Sequence, residues 1–402
     1  MTAAREELDV VVVGAGPAGC AAAITAVREG LRVLVVDKAT FPRDKTCGDG
    51  LTTAALRDLE RLGLSLGVLP SAMPVHETVL VSPSGRRVTL PMPGGGLHTV
   101  VVPRLELDAA LVALARSVGV DVHDGVALEG LVDGDPAVAR LSNGFTVRTR
   151  WVIAADGQYS PTRRALGVRS GPELGTWHAV RQYFSGVDDA RLSVLFEADL
   201  LPGYAWVFPL PDGRANVGFG VLRDGRARGK ELRALWPDVL ARASMREALG
   251  PRACPEGAHR AWPIPSVYDP ARLAAGPALF AGDAASVVDP LTGEGIAQAL
   301  ETGMLAATSI ARAGSRPTVR ARYVSLVDRA LGRDLRFAGR LQRLLRSPLG
   351  ARASIRAAGL TPWTRRNFAR WMYEDYPRAL ILTPDRWGPR MFTPPGAYGS
   401  SS

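Results

Sequence analysis

The chain has 402 residues, 47% of them apolar and 22% charged, enough for one large domain or two intimate ones and unlike a disordered chain. Its three cysteines, Cys20, Cys47 and Cys254, are odd in number and widely spaced; they exclude a disulfide framework and a zinc site, and fit a reducing, cytoplasmic setting. The net charge of +10 suits anionic partners, yet no nucleic-acid recognition motif accompanies it.

In chain order, Leu8 to Val13 is a short apolar run, the mark of a buried parallel strand and too brief for a signal-peptide core. Pro17 to Glu29 is small and alanine-rich, a helix able to pack closely on a sheet. Leu31 to Val36 is a second buried strand, ending in Asp37, with Lys38 beside it. This is a β-α-β unit. Its first turn reads Gly14-Ala-Gly16-Pro17-Ala18-Gly19. Gly14 permits the tight turn, Gly16 lets the backbone approach a pyrophosphate, and Gly19 allows helix–sheet contact. The helix start at Pro17 and Ala18 presents its positive end to phosphates, and Asp37 is placed to take ribose hydroxyls. The unit is a Rossmann-type dinucleotide site.

Beyond Leu51 the texture changes. A helix near Thr52 to Leu62 gives way to alternating stretches at Glu77 to Val81, Val88 to Leu90 and His98 to Val102, expected as antiparallel strands of a second layer. Leu105 to Val118 returns to helical periodicity. Val120 to Ile153 reads as strands, with turns at Asp133-Gly134 and Asn143-Gly144, and Trp177 to Leu222 is another β-rich block. Gly276 to Ala281 is a buried strand, and a helix runs from about Glu294 to Ala313. The remainder is helical and basic: Arg312 to Arg370 holds fifteen arginines against two aspartates. No apolar stretch approaches the roughly 20 residues that span a bilayer. The expected class is mixed α/β. A discontinuous dinucleotide domain covers 1–75, 98–170 and 276–312, an interleaved antiparallel β-rich substrate domain 76–97 and 171–275, and a helical basic region 313–402.

Ala155-Asp156-Gly157 and Gly282-Asp283-Ala284 each close a strand, where a carboxylate can hold ribityl hydroxyls or a water on a pyrophosphate. With the first motif, at these separations, they resemble the FAD fold of the p-hydroxybenzoate hydroxylase type over roughly residues 8–310. Three stretches resemble, more narrowly, the geranylgeranyl reductase family: Phe41 to Leu51 with Cys47 and Gly48, the strand pair from Pro202 to Gly218, and the loop Asp289-Pro290-Leu-Thr-Gly293-Glu-Gly295-Ile296. The last ninety residues carry no motif of that family.

The resemblance implies bound FAD. NAD(P)H or another donor visits transiently, because no second glycine-rich unit is present. It implies that Arg104 contacts the FAD phosphate or ribose. It places Pro290, Gly293, Gly295 and Ile296 at the flavin ring, where the following helix start offsets negative charge on the reduced ring. Glu294 is expected only to cap that helix. Cys47 is expected to shape the flavin pocket or supply a proton. Tyr204, Trp206 and Phe208 alternate and so share one strand face. Such a stripe is commonly plain core; beside a flavin loop it reads as the wall of a substrate cavity for a polyprenyl chain. Cys47, Tyr204 and Trp206 are the catalytic candidates, and no metal is expected.

The implied activity is reduction of a carbon–carbon double bond in a lipophilic isoprenoid by hydride from flavin N5. A monooxygenase or epoxidase on the same fold is the alternative. A flavin halogenase is disfavoured: Tyr204 and Phe208 depart from its Trp-x-Trp-x-Ile-Pro pattern, and none of Lys38, Lys45 and Lys230 is placed as its catalytic lysine. The proton source and the oligomeric state are not legible. The basic C-terminal region, with Phe337, Leu341, Leu344, Leu345, Trp363, Phe368 and Trp371 among its arginines, is either a solvated helical face or a surface that docks on anionic lipid from the cytoplasmic side.

Overall fold

A computed structural model describes residues 7–168, 176–223, 229–312, 314–387 and 394–399. The valine-rich strand Leu8–Val13 runs through the middle of an eight-stranded sheet, where an unbroken β-branched run is buried on both faces. Across the sheet the order is Ala274–Ala275, Ala278–Phe280, Thr146–Ala154, Leu8–Val13, Val33–Asp37 and Asp121–Asp124, parallel from Ala278 onward. Thr146–Ala154 is the joint of this layer. Its first half pairs antiparallel with Ala137–Leu141, and its second half runs parallel to Leu8–Val13.

Helix Pro17–Arg28 packs against helix Ile296–Ala311, and small residues set how close they come. A Cβ on Gly303 would lie 2.2 Å from the carbonyl oxygen of Ala18, and one on Gly19 only 1.7 Å from that of Gly14. Glycine is therefore required at both contacts. The second of these helices begins two residues later than the sequence pattern suggests, with Gly295 as its N-cap.

A second sheet has seven strands in the order Cys254–Ile264, Trp177–Ser185, Arg214–Leu222, Tyr204–Leu210, Leu192–Leu195, Glu77–Val81 and Arg87–Pro91. All neighbours are antiparallel except Leu192–Leu195 with Glu77–Val81. Its two faces are covered differently. Ala205, Val207, Val217 and Phe219 face helices Gly229–Ala241 and Ala243–Leu249, where Trp236 stacks on Phe219 with ring centroids 6.0 Å apart. These helices interrupt a segment expected to be β-rich; a Leu/Ala-rich stretch supplies the apolar side that this face needs.

The opposite face carries Trp206 and Phe208. It is closed by helices Pro348–Ala358 and Pro362–Met372, through Ile355, Ala369 and Tyr373. Prolines in the first turn start both helices. Thr361 and Thr364 add a reciprocal cap to the second. The Tyr373 hydroxyl shares a 2.7 Å hydrogen bond with that of Thr78, which ties the last helix to the sheet. Among the described residues no helix is long and apolar enough to cross a membrane.

Candidate active site

The glycine turn is built as its spacing demands. Gly14 has a φ of +102°, and a Cβ there would stand 2.3 Å from the carbonyl oxygen of Ala155 on the neighbouring strand. Asp37 locks the turn, accepting the N–H of Ala15 at 2.7 Å and that of Ala39 at 2.8 Å. Above it opens a cavity of about 680 Å³ that runs from the end of strand Val33–Asp37 to the loop before helix Ile296–Ala311.

Most of the predicted residues line this one cavity: Gly14, Gly16, Pro17, Ala18, Asp37, Lys38, Cys47, Gly48, Arg104, Asp156, Gly157, Gly282, Asp283, Gly293, Gly295 and Ile296, with Tyr204, Trp206 and Phe208 on its far wall. Two do not. Gly19 is covered by the Gly14 carbonyl, so it shapes the turn from beneath. Pro290 turns its carbonyl away to accept Trp177 Nε1 at 3.2 Å and Gln342 Nε2 at 2.5 Å, and so anchors the loop.

The lining fits an extended diphosphate ligand. Arg104 is buried and grips Asp108 with Nε and Nη2 at 2.7 and 2.8 Å; Arg43 reaches the same carboxylate at 2.8 Å. Both guanidinium groups stand near the position a Cβ on Gly16 would take, at 3.7 and 3.9 Å. Two cations thus face the helix start where a pyrophosphate would lie. Asp156 accepts the Thr162 N–H at 2.9 Å with one oxygen, while its other oxygen is buried without a partner. Such an orphan calls for a hydroxyl or water from a ligand. Asp283 lines the cavity, and among the described residues no donor reaches its carboxylate.

Asp283→Ala therefore breaks no hydrogen bond among the described residues. It is expected to leave the melting temperature nearly unchanged and to weaken FAD retention by about 1–3 kcal/mol, the range for a lost hydrogen-bonding partner. Flavin absorbance after gel filtration measures this, and undiminished occupancy would remove Asp283 from the site.

Around the Cys47 end of the cavity the structure adds residues that were not among the candidates read from the sequence. Asp49, in the left-handed region at φ +65°, is fully buried. It accepts the Tyr183 hydroxyl at 2.6 Å and Asn216 Nδ2 at 2.7 Å, and burial lifts its carboxyl to about 6. Asn216 also donates to the Cys47 carbonyl at 2.8 Å. The Cys47-Gly48-Asp49-Gly50 turn is thereby fixed to the second sheet. An aspartate between two glycines, in a turn that needs positive φ, was the available signal. Burial pushes the Cys47 thiol up to about 11, which disfavours the thiolate at neutral pH.

The polar ends of Tyr204 and Trp206 are engaged by the protein. The Tyr204 hydroxyl donates to the Thr292 carbonyl, and Trp206 Nε1 donates to Asn216 Oδ1 at 3.0 Å. What they offer the cavity is their rings. Glu294 does not cap the helix, contrary to expectation: Gly295 is the N-cap, and no side chain caps it. The Glu294 side chain lies instead on the cavity wall.

A second cavity of about 490 Å³ meets the first at Tyr204, Phe208, Thr292 and Glu294. Its wall is almost wholly apolar, with Leu80, Val194 and Phe196 from the sheet and Phe368, Trp371 and Met372 from the last long helix. A buried ion pair holds that helix side in place: Arg378 Nε lies 2.8 Å from Asp289 Oδ2, and both side chains are 2% exposed.

Among the described residues no cluster of metal-ligating side chains is present. The sequence matches the FAD binding domain model over residues 7–315. It is 38% identical over 356 residues to a menaquinone reductase of Mycobacterium tuberculosis (strain CDC 1551 / Oshkosh), covering 85% of each chain. It is 30% identical over 326 residues to digeranylgeranylglycerophospholipid reductase 1 of Methanococcoides burtonii, covering 77% of this chain and 76% of that one. In fold it is similar to a geranylgeranyl bacteriochlorophyll reductase-like protein of Thermoplasma acidophilum, with a TM-score of 0.79 at 22% identity, covering 94% of this chain and 99% of that one. With its dinucleotide cradle, its cysteine turn and its aromatic strand pair around one cavity, the chain belongs to the geranylgeranyl reductase family of FAD-dependent oxidoreductases.

Proposed function

We infer that the enzyme reduces a carbon–carbon double bond in the polyprenyl part of a lipid. The observation that carries this reading is the second cavity: an apolar space of about 490 Å³, walled by aromatic and aliphatic side chains, that shares Tyr204, Phe208, Thr292 and Glu294 with the wall of the cofactor cavity. Menaquinone and digeranylgeranyl glycerophospholipid, which the relatives' names give as substrates, both carry prenyl chains. Bound FAD would be held by Arg43, Arg104, Asp37, Asp156 and Asp283, and supplies hydride chemistry at flavin N5. The protein's part is to orient the alkene between Trp206 and the Thr292–Gly295 loop and to keep water out. NAD(P)H or another donor, bound transiently, would supply the electrons. Anaerobic incubation of the reduced enzyme with a menaquinone and with a geranylgeranyl lipid, read by mass spectrometry, tests this. A product two mass units heavier is expected. A gain of sixteen under oxygen, with no anaerobic product, would make the enzyme an oxygenase.

The C-terminal helices support a membrane-surface reading. Of the apolar residues expected at an interface, Leu341, Leu345, Trp363, Phe368 and Trp371 line the second cavity, Leu344 and Trp363 are exposed, and Phe337 is half-buried; Leu349 and Leu360 are exposed as well. Arg340, Arg343, Arg346, Arg352, Arg356 and Arg366 are exposed nearby, and none forms an ion pair among the described residues. Exposed apolar side chains interleaved with unpaired arginines, at the rim of a lipid-sized cavity, suit an anionic bilayer. Each basic residue near such a surface contributes about 1 kcal/mol. The protein is expected to float with phosphatidylglycerol vesicles and not with phosphatidylcholine vesicles. High salt should release it, and replacing Arg343, Arg346, Arg352 and Arg356 with Gln should abolish binding. Recovery in the soluble fraction throughout would make these arginines a solvated face.

A further inference from the structure

Reduction of an isolated alkene needs a proton as well as a hydride, and no motif in the sequence identifies its source. Two titratable side chains line both cavities, Tyr204 and Glu294, and Cys47 lines the first of them. The Tyr204 proton is held by the Thr292 carbonyl. Cys47 lines only the cofactor cavity, and its sulfur accepts the Asp49 N–H at 3.3 Å. Glu294 lines both cavities. Among the described residues no hydrogen-bonding group of the protein engages its carboxyl, although the neighbouring Glu374 is held by Thr52 Oγ1 at 2.9 Å and Gln298 Nε2 at 2.7 Å. A carboxyl left free of protein partners, at the junction of a cofactor cavity and an apolar cavity, is oriented toward whatever occupies them.

We propose that Glu294 is the proton donor of the reaction, delivering its carboxyl proton to one carbon of the substrate double bond while the other carbon receives hydride from the reduced flavin. The proposal rests on the alkene-reductase reading above. The π pair of the double bond forms the new C–H bond to the Glu294 proton. Hydride forms the second C–H bond, the flavin is oxidised by two electrons, and Glu294 is left as a carboxylate to be reprotonated from solvent before the next turnover.

The surroundings keep the acid loaded. Burial lifts the Glu294 carboxyl to about 8, and the carboxylates of Glu374, Asp289 and Asp49 push the same way, against the opposing field of Arg378. Tyr204, Tyr373 and Cys47 are the other titratable groups facing it, and all three are raised and neutral at pH 7. Glu294 is thus the strongest protonated acid at the junction. This meets the requirement that a general acid hold its proton near the working pH.

The test uses the FAD-loaded enzyme, reduced with one equivalent of dithionite and mixed anaerobically with a geranylgeranyl lipid, which has no quinone ring to take the electrons. Wild-type reoxidation should slow as pH rises through about 8, as the carboxyl loses its proton. Glu294→Gln should retain FAD and accept electrons from dithionite, yet pass them to the alkene about 10²- to 10⁴-fold more slowly, with a flat pH profile. Glu294→Asp should recover part of the rate.

A second readout needs no turnover. The folded carboxyl binds its proton more tightly than the unfolded one. Its contribution to stability is therefore fully present below about pH 4.5 and is lost as pH rises through about 8. The melting temperature of the wild type should fall relative to that of Glu294→Gln across that window. A Glu294→Gln enzyme that reoxidises at the wild-type rate, or melting curves that stay parallel with pH, would overturn the proposal. If the wild type forms no reduced lipid, the reductase reading itself fails, a result the variant cannot mimic.

Discussion

Arg378→Ala is expected to destabilise the protein by about 3–5 kcal/mol, the cost of removing one partner from a buried ion pair. Arg378 is the cation of a buried acidic pocket. Its Nε lies 2.8 Å from Asp289 Oδ2 and its Nη2 3.4 Å from Glu374 Oε1, with Thr292 Oγ1 also at 3.4 Å. Asp289 meanwhile accepts the N–H groups of Leu291 and Thr292 at 2.8 and 2.9 Å, and so sets the shape of the loop that carries Gly293, Glu294 and Gly295. Without the guanidinium, Asp289, Glu374 and Glu294 would share a pocket with no cation to balance them. The pocket would then take up protons or open to water. Loss of stability and loss of FAD should accompany each other, because the same loop lines the cofactor cavity. Denaturant unfolding and flavin absorbance measure the two effects. Arg366→Ala, on an exposed position of the preceding helix, is the control and should stay within about 0.5 kcal/mol. An Arg378→Ala protein with an unshifted midpoint would show that the pair contributes nothing net, and that the C-terminal segment is held by its apolar contacts alone.

How much of this could be read from the sequence depends on how local each feature is. The dinucleotide turn was legible because its parts answer to neighbours fixed by one β-α-β unit: Gly19 against Gly14, and Asp37 against Ala15. The face of Tyr204, Trp206 and Phe208 was legible because strand periodicity alone separates them from Ala205 and Val207. Glu294 was misread for the complementary reason. A glutamate just before a helix is a good cap by local rules, and only the Gly295 backbone and the two cavities on either side show otherwise. Asp49 and Asn216 are 167 residues apart in sequence, Glu374 and Gln298 are 76 apart, and no spacing rule joins either pair. The C-terminal region had no motif to offer. Its contributions are one arginine inserted among acids and one helix laid over a sheet, and both exist only after folding.

Trp206→Ala is expected to impair turnover of a long prenyl substrate by at least tenfold while FAD remains bound. Trp206 is 6% exposed and stands between Tyr204 and Phe208, with ring centroids 6.1 and 6.0 Å away. Its indole lies flat on the facing strand, where a Cβ on Gly218 would come within 2.3 Å of it; glycine there makes room for the ring. Its Nε1 holds Asn216, which in turn holds Asp49 and the Cys47 carbonyl. Truncation therefore does two things. It removes a large apolar ring from the wall of the cofactor cavity, and it releases the amide that fixes the cysteine turn. Deleting a large buried aromatic costs about 3–5 kcal/mol, so the melting temperature must be measured with the rate. Trp206→Phe separates the two effects. It keeps most of the wall and loses only the hydrogen bond to Asn216, at a cost of about 1–3 kcal/mol for the unpaired amide oxygen. If the ring is what matters, Trp206→Phe retains most of the activity on a geranylgeranyl lipid and Trp206→Ala does not. If the cysteine turn is what matters, both variants fail alike. A Trp206→Ala enzyme that is folded, yellow and fully active would mean that the alkene does not lie against this wall.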